Sequence, residues 1–115
     1  MSPSVNILTP NAASHLADFK RSAANAVPGV EKVILFGSQA RGQMRDDSDY
    51  DVAVIVRDMA DRRHVRRILS DLAYEHVLHG VFIRPIPLSP DYLAPTAGRA
   101  TELADEIARD GVEIR

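Results

Sequence analysis

The chain has 115 residues, with 14 Lys and Arg against 16 Asp and Glu and a formal net charge of −2. This length and an apolar content of 45% predict one domain, residues 1–115, built around a single hydrophobic core. A nearly neutral charge gives no general attraction to nucleic acid or to a membrane surface. Cysteine is absent, which excludes disulfides and thiolate metal sites.

No run approaches the ~18 apolar residues that a membrane-spanning helix requires. The N-terminus lacks the charged and apolar pattern of a signal peptide. We therefore expect a cytoplasmic protein that does not contact a membrane.

Helical and strand patterns alternate along the chain, which is typical of an α/β protein. Thr9 and Pro10 begin a helix that ends at Pro28-Gly29, and strands near 31–36 and 50–56 follow. Asp61 caps a second helix that closes at Gly80. The apolar faces of these two helices consist of Leu16, Phe19, Ala23 and Val27, and of Val65, Ile68, Leu69, Leu72 and Ala73.

A proline-rich strand within 80–90 comes next, and Pro85 and Pro87 predict that it lies at a sheet edge or is irregular. A helix around 99–110 and a short strand at 112–114 complete the chain. The inward positions of this last helix are Ala100, Leu103, Ala104 and Ile107. We expect an α/β (α+β) fold in which helices pack on a small mixed sheet of about four strands.

A glycine-serine turn follows the first strand. Residues 33–36, Val-Ile-Leu-Phe, form an unbroken apolar run of the kind that is buried on both faces. Gly37 has no Cβ, so a ligand can approach the main chain there. Ser38 suits the cap of a short helix through Arg41, whose free N–H groups would point at an anion. The turn predicts a phosphate site.

Two carboxylates stand where the second strand begins. Asp49 and Asp51 are two positions apart, so along a strand they project from the same face, with Cα atoms roughly 6.6 Å apart. At an effective dielectric constant of about 20, two full charges at that distance repel by about 2.5 kcal/mol. A cation would relieve this repulsion, and Mg²⁺ prefers carboxylate and phosphate oxygens. The pair predicts a magnesium site.

Each pattern alone is most often an ordinary turn or a solvated loop. Here they occur together and in order: the turn follows a buried strand, Ala40-Arg41-Gly42 comes next, and Ser48-Asp49-Tyr50-Asp51 leads into Val-Ala-Val-Ile-Val. This order resembles the signature of the minimal nucleotidyltransferases of the DNA polymerase β superfamily. The similarity extends to the end of the chain, where residues 102–114 resemble the ending of these small proteins.

The resemblance implies a polymerase-β-like fold and a role for each matching residue. Gly37 and Ser38 would hold a triphosphate, Arg41 would lie near the phosphates, and Asp49 and Asp51 would be catalytic and bind Mg²⁺. The implied reaction transfers a nucleoside monophosphate, AMP from ATP, to a hydroxyl. Small relatives resemble antitoxins that modify a tyrosine hydroxyl of a HEPN-domain toxin, so we expect a protein partner as the acceptor.

The chain departs from the family pattern at one position. The superfamily places a third carboxylate a few residues before a Leu-Ser-Pro, and in this chain that position holds Arg84. No Asp or Glu occurs between Glu75 and Asp91. A third carboxylate completes the metal site or accepts the proton of the attacking hydroxyl, so its replacement puts catalysis in question.

Two interpretations of Arg84 stay open. Its side chain points elsewhere because the strand is shifted by one or two residues, or its guanidinium forms bidentate pairs with Asp49 and Asp51 where a metal would lie. In the second case the alternative function is an impaired nucleotidyltransferase fold that binds and masks its partner.

A basic cluster and three histidines lie on the second helix. Arg62, Arg63, Arg66 and Arg67 crowd its start, where cations oppose the helix dipole by roughly 0.3–1 kcal/mol each. They form either a solvated face, in which Arg67 pairs with Asp71, or a contact surface for an acidic partner. We interpret His64, His76 and His79 as structural or solvated, with no metal companion.

Overall fold

The computed structural model describes residues 10–37, 49–93 and 102–115. In these ranges the helices are α1 (Pro10–Ala26), α2 (Arg62–Val77) and α3 (Glu102–Asp110). The strands are β1 (Val30–Phe36), β2 (Tyr50–Val56), β3 (Ile83–Leu88) and β4 (Val112–Glu113), and a 3₁₀ turn, Pro90–Leu93, follows β3. Two predicted positions, the cap at Thr9 and the inward Ala100, lie outside these ranges.

The described strands form one four-stranded sheet in the order β3-β2-β1-β4. β1 pairs antiparallel with β2 and with β4, whereas β2 and β3 are parallel. The parallel pair is possible because α2 carries the chain back across the sheet between these strands. This mixed sheet with packed helices is the predicted fold class.

The sheet has a helical layer on each face. Leu16 and Phe19 of α1 and Leu69 of α2 pack with Val52 and Val54 of β2 on the α1/α2 face. Ile107 of α3 packs with other sheet residues, Ile34, Ala53 and Ile55, on the opposite α3 face. Because side chains alternate along a strand, Asp51 shares the α3 face with Ala53 and Ile55.

The two prolines of β3 lie where the sheet needs no N–H donor. Tyr50 donates its backbone N–H to the carbonyl of Phe82 at 2.7 Å. By alternation, the N–H and C=O groups of Arg84 also point toward β2, while those of residues 83, 85 and 87 point away. Since β3 is an edge strand, Pro85 and Pro87 cost no ladder hydrogen bond, and the edge prediction is confirmed.

The ends of α2 follow the predicted signals. Asp61 is the N-cap, and its side chain accepts from the backbone N–H of His64 at 3.2 Å. Gly80 follows the helix with a positive φ of 79°. The predicted ion pair between Arg67 and Asp71 is wrong, because the structure places no salt bridge between these two described residues.

Among the described helices, none is long and apolar enough to cross a membrane.

A histidine cluster joins α1 to the end of α2. The Nδ1 atoms of His15 and His76 are 2.8 Å apart, and the ring of His79 lies 5.0 Å from that of His15. His76 is 7% exposed, which confirms a structural role. Its pKa is lowered by burial and, secondarily, by the nearby charge of His15, while Glu75 and Asp18 oppose the shift. One of the two facing nitrogens must be an acceptor, so the contact requires a neutral ring.

We predict that the free energy of unfolding falls as the pH is lowered from about 7 to about 5. The pKa of folded His76 lies below its value in the unfolded chain, about 6.5, so the unfolded chain binds the proton first. Stability is therefore complete above that pH and declines below it. Urea titrations of the native protein and of His76→Phe measure this effect.

The substitution His76→Phe should flatten the pH dependence, whereas His64→Gln, at an exposed position of the same helix, should leave it unchanged. An equally steep pH dependence in His76→Phe would contradict the assignment.

Candidate active site

Gly37 and Asp51 meet at the end of the central strand pair. Asp51 is paired with Phe36 in the β1-β2 register, so its carboxylate lies beside the turn that ends β1. The backbone φ of Gly37 is 82°, a conformation that residues with a Cβ rarely adopt. A Cβ on Gly37 would also lie 2.8 Å from Oδ2 of Asp51. Two features therefore favour glycine at this position: the positive φ of the backbone and the closeness of the Asp51 carboxylate.

Arg84 lies directly across from Asp51 on β3. The two residues are partners in the parallel register, and Nε of Arg84 donates to Oδ1 of Asp51 at 2.7 Å. The interpretation in which Arg84 points elsewhere is therefore wrong. The expected bidentate pair is not formed either, because a single hydrogen bond joins the two side chains.

The charges around Arg84 stabilise its cationic form. Its pKa is raised by the hydrogen bond to Asp51, then by attraction to that carboxylate and, more weakly, to Asp49, while burial opposes the shift. The Asp51 side chain is 17% exposed and that of Arg84 is 63% exposed. The guanidinium thus stays charged and in contact with solvent beside a largely buried carboxylate.

Asp49 lies just before β2 and is exposed. It lines a cavity of about 650 Å³ between α2 and β3, together with Arg84. Other wall residues, Arg66 and Tyr74 of α2 and Phe82 before β3, were not predicted as part of this site. The sequence gives only a weak indication of this wall. Outside the apolar face of α2, residues at helical spacing form a second row, which consists of Arg66, Ser70, Tyr74 and Val77.

Several residues of the predicted phosphate site lie outside the described ranges. They are Ser38 and Arg41 of the predicted site, and Ala40, Gly42 and Ser48 of the motif. Their roles stay predictions. Gly37, Asp49, Asp51 and Arg84 form the candidate site as the described residues define it.

The described carboxylates suit one magnesium ion that arrives with phosphates. In the described ranges no group of three or more His, Asp or Glu side chains could hold a metal. Mg²⁺ is commonly bound through one or two carboxylates, with substrate phosphates and waters as its other ligands. Asp49 and Asp51 fit that use, although Oδ1 of Asp51 already accepts from Arg84. The side chain that faces Asp51 from β3 is the cationic Arg84.

We predict that Gly37→Ala destabilises the protein more than Gly80→Ala. Both glycines have nearly the same positive φ, but an added Cβ at Gly80 meets nothing within 4 Å. Each change should cost roughly 1–2 kcal/mol of backbone strain, and Gly37→Ala should cost roughly 1 kcal/mol more from its clash with Asp51. Urea unfolding measures both values.

Removing the carboxylate provides the control, because Asp51→Ala should relieve the extra cost in the Gly37→Ala background. Equal destabilisation by the two glycine substitutions would show that Asp51 does not pack against Gly37.

Two proteins of the archaeon Methanocaldococcus jannaschii are similar in sequence. MJ0141, a proposed protein adenylyltransferase, is 27% identical over 100 residues, which cover 86% of this chain and 94% of that protein. MJ1305, also a proposed protein adenylyltransferase, is 40% identical over 60 residues. That match covers 50% of this chain and 41% of MJ1305.

Solved structures share the fold at low sequence identity. A toxin–antitoxin with AMP-PNP has a TM-score of 0.61 at 19% identity, covering 90% of this chain and 72% of that one. A proposed nucleotidyltransferase from Sulfolobus solfataricus has a TM-score of 0.59 at 18% identity, and the match covers 92% of this chain and 87% of that one. A mutant of the toxin–antitoxin MntA-HpeT has a TM-score of 0.59 at 18% identity, and the match covers 90% of this chain and 71% of that one.

The family is shown by a match over most of the chain. A family model for "Polymerase beta, Nucleotidyltransferase" matches residues 20–114. The matched range contains the whole candidate site, from Gly37 to Arg84. This chain belongs to the polymerase β nucleotidyltransferase family.

Proposed function

We propose that this protein transfers AMP from ATP to a hydroxyl on a protein partner, which is a toxin that it neutralises. The observation that carries the proposal is the Asp51 carboxylate, fixed between the Gly37 turn and the Arg84 guanidinium. Family membership and the MJ0141 relative, a proposed protein adenylyltransferase, support the same reaction.

The reaction exchanges one bond to phosphorus for another. The oxygen of the partner's hydroxyl attacks the α-phosphorus of ATP and loses its proton to solvent water, while the bond from that phosphorus to the pyrophosphate oxygen breaks. Pyrophosphate leaves with the negative charge, and AMP is joined to the partner. Mg²⁺ bound by Asp49 and Asp51 would neutralise phosphate charge.

The remaining site residues position the triphosphate. The main chain at Gly37 is open to a phosphate because no Cβ stands there, and Ser38 and Arg41 would contact the phosphates beyond it. Arg84 can donate to a phosphate oxygen as well as to Asp51, since a guanidinium has several N–H groups. In this role it supplies positive charge at the position where the family has a third acid.

The proposed partner is a HEPN-domain toxin. Two of the similar solved structures are toxin–antitoxin proteins, and one of them was solved with AMP-PNP. These similarities are similarities of fold, and they support our proposal of an antitoxin role for this chain. The exposed arginines Arg62, Arg63 and Arg66 of α2 offer a positive surface to such a partner.

One observation favours a second function. The Nε of Arg84 donates to Oδ1 of Asp51, an oxygen that a metal ion would use as a ligand. Asp51 is also less exposed than Asp49. If this ion pair keeps Asp51 from binding a metal ion in the presence of nucleotide, the domain masks its partner without modifying it.

We predict that Asp49→Asn combined with Asp51→Asn abolishes transfer of label from α-phosphate-labelled ATP to the partner that copurifies with the protein. The amide oxygens keep the shape of the site but lose the charge that binds the ion. Circular dichroism should show an unchanged fold. Asp58→Asn, at an exposed acid after β2, is the matched control and should retain transfer. Persistent labelling in the double variant would refute the site.

Calorimetry separates transfer from masking. The native protein should bind ATP in the presence of Mg²⁺, and Arg84→Met should weaken this binding because a phosphate contact is lost. Arg67→Glu, an exposed change on α2, should have no effect. If the native protein binds no nucleotide and Arg84→Glu restores binding, the masking function is correct instead.

A further inference from the structure

We propose that the partner's acceptor segment binds in the groove between α2 and the outer edge of β3, through acidic side chains and an aromatic or aliphatic anchor. This inference rests on the proposed function and names the surface and the chemistry that it requires. The α2–β3 groove is the cavity of about 650 Å³ whose walls are formed by α2, the residues before β3 and the first part of β3.

The groove leads to the candidate active site. Asp49 and Arg84 belong to its wall as well as to the site. A segment in the groove would therefore place one of its own side chains close to Asp49. Two other cavities, of about 240 and 290 Å³, contain no residue of the candidate site.

Large apolar side chains line the groove and remain in solvent. Tyr74 is 64% exposed and Phe82 is 39% exposed, and both lie in its wall with Val77 and Ile86. Exposed aromatic side chains around a concave surface are typical of a binding site, because each can bury a large area on contact. The groove can therefore bind an aromatic or aliphatic side chain of the partner.

The positive charge of α2 extends from the groove. Arg66 lines it and also lines an adjoining cavity of about 240 Å³ with Arg62 and Arg63. Within the described ranges Arg63 and Arg66 form no salt bridge, and the first turn of α2 has no acidic residue. Unpaired cations beside an apolar groove favour an acidic partner through charge complementarity.

The outer edge of β3 cannot accept an added strand. Pro85 and Pro87 have no N–H to donate, and their main chain faces away from β2. The outward carbonyl of Pro87 already accepts from Nε of Arg62 at 3.1 Å. An occupant must therefore bind by its side chains, which excludes recognition by strand addition.

A nucleic acid fits this groove less well than an acidic protein segment. Asp49 in the wall repels anions, and this repulsion is greater for a nucleic acid, which carries a charge at each nucleotide, than for a segment with a few acidic side chains. The chain as a whole carries a formal charge of −2, which opposes the approach of a polyanion of high charge density.

The experiment measures binding of fluorescent synthetic polymers by anisotropy, at low salt and without nucleotide or metal. The probe is a random copolymer of glutamate and tyrosine, compared with polyglutamate, a lysine-tyrosine copolymer and a single-stranded RNA oligonucleotide. Two matched pairs of variants are used. Arg66→Glu is compared with Arg67→Glu, at a residue that lines neither the groove nor the adjoining cavity, and Tyr74→Ser is compared with Leu78→Ser, at an exposed residue outside the groove.

The native protein should bind the glutamate-tyrosine copolymer more tightly than the other three probes. Arg66→Glu should weaken this binding roughly tenfold, and Arg67→Glu should change it much less. Tyr74→Ser should remove the advantage of the copolymer over polyglutamate, whereas Leu78→Ser should keep it.

Equal losses in Arg66→Glu and Arg67→Glu would overturn the proposal, because binding would then depend on overall charge. Tighter binding of RNA, or no binding of the copolymer, would also overturn it. The test is independent of catalysis. Groove-dependent binding without any AMP transfer would refute only the proposed function, and transfer to a partner that Arg66→Glu and Tyr74→Ser leave unchanged would refute only the groove.

Discussion

The hydrogen bond from Arg84 to Asp51 is the interaction on which the candidate site depends. It joins the edge strand β3 to the central strand β2 at the point where the Gly37 turn approaches, so three segments meet at one carboxylate. Charge-assisted hydrogen bonds of this length are stronger than neutral ones, yet the guanidinium is largely exposed and water reduces its contribution to stability. Its effect on the proposed function would be greater, because it would determine how much negative charge remains for a metal ion.

The same contact connects the two surfaces that the proposals use. Arg84 contacts the Asp51 carboxylate on one side and lines the α2–β3 groove on the other. The candidate site and the groove therefore share this guanidinium.

Local patterns predicted most of the fold. The buried run at residues 33–36, the Asp61 cap and the edge prolines each act through the backbone of their own segment, so no tertiary information was needed. The two readings of Arg84 could not be separated from the sequence, because a shift of one residue turns a side chain to the opposite face of the sheet. The pairing of Asp51 with Arg84 excludes the shifted strand, and the single hydrogen bond between their side chains replaces the expected bidentate pair. Contacts between distant segments, such as that of His15 with His76, have no local signal and became visible only in the structure.

A crystal structure with Mg²⁺ and a non-hydrolysable ATP analogue would test the roles of Asp49, Asp51 and Arg84 most directly. We predict an ion about 2.1 Å from an oxygen of Asp49 and of Asp51, phosphates against the Gly37 main chain, and the Arg84 guanidinium in contact with a phosphate oxygen. A structure in which Arg84 keeps its hydrogen bond to Asp51 and the phosphates lie away from both aspartates would contradict this prediction.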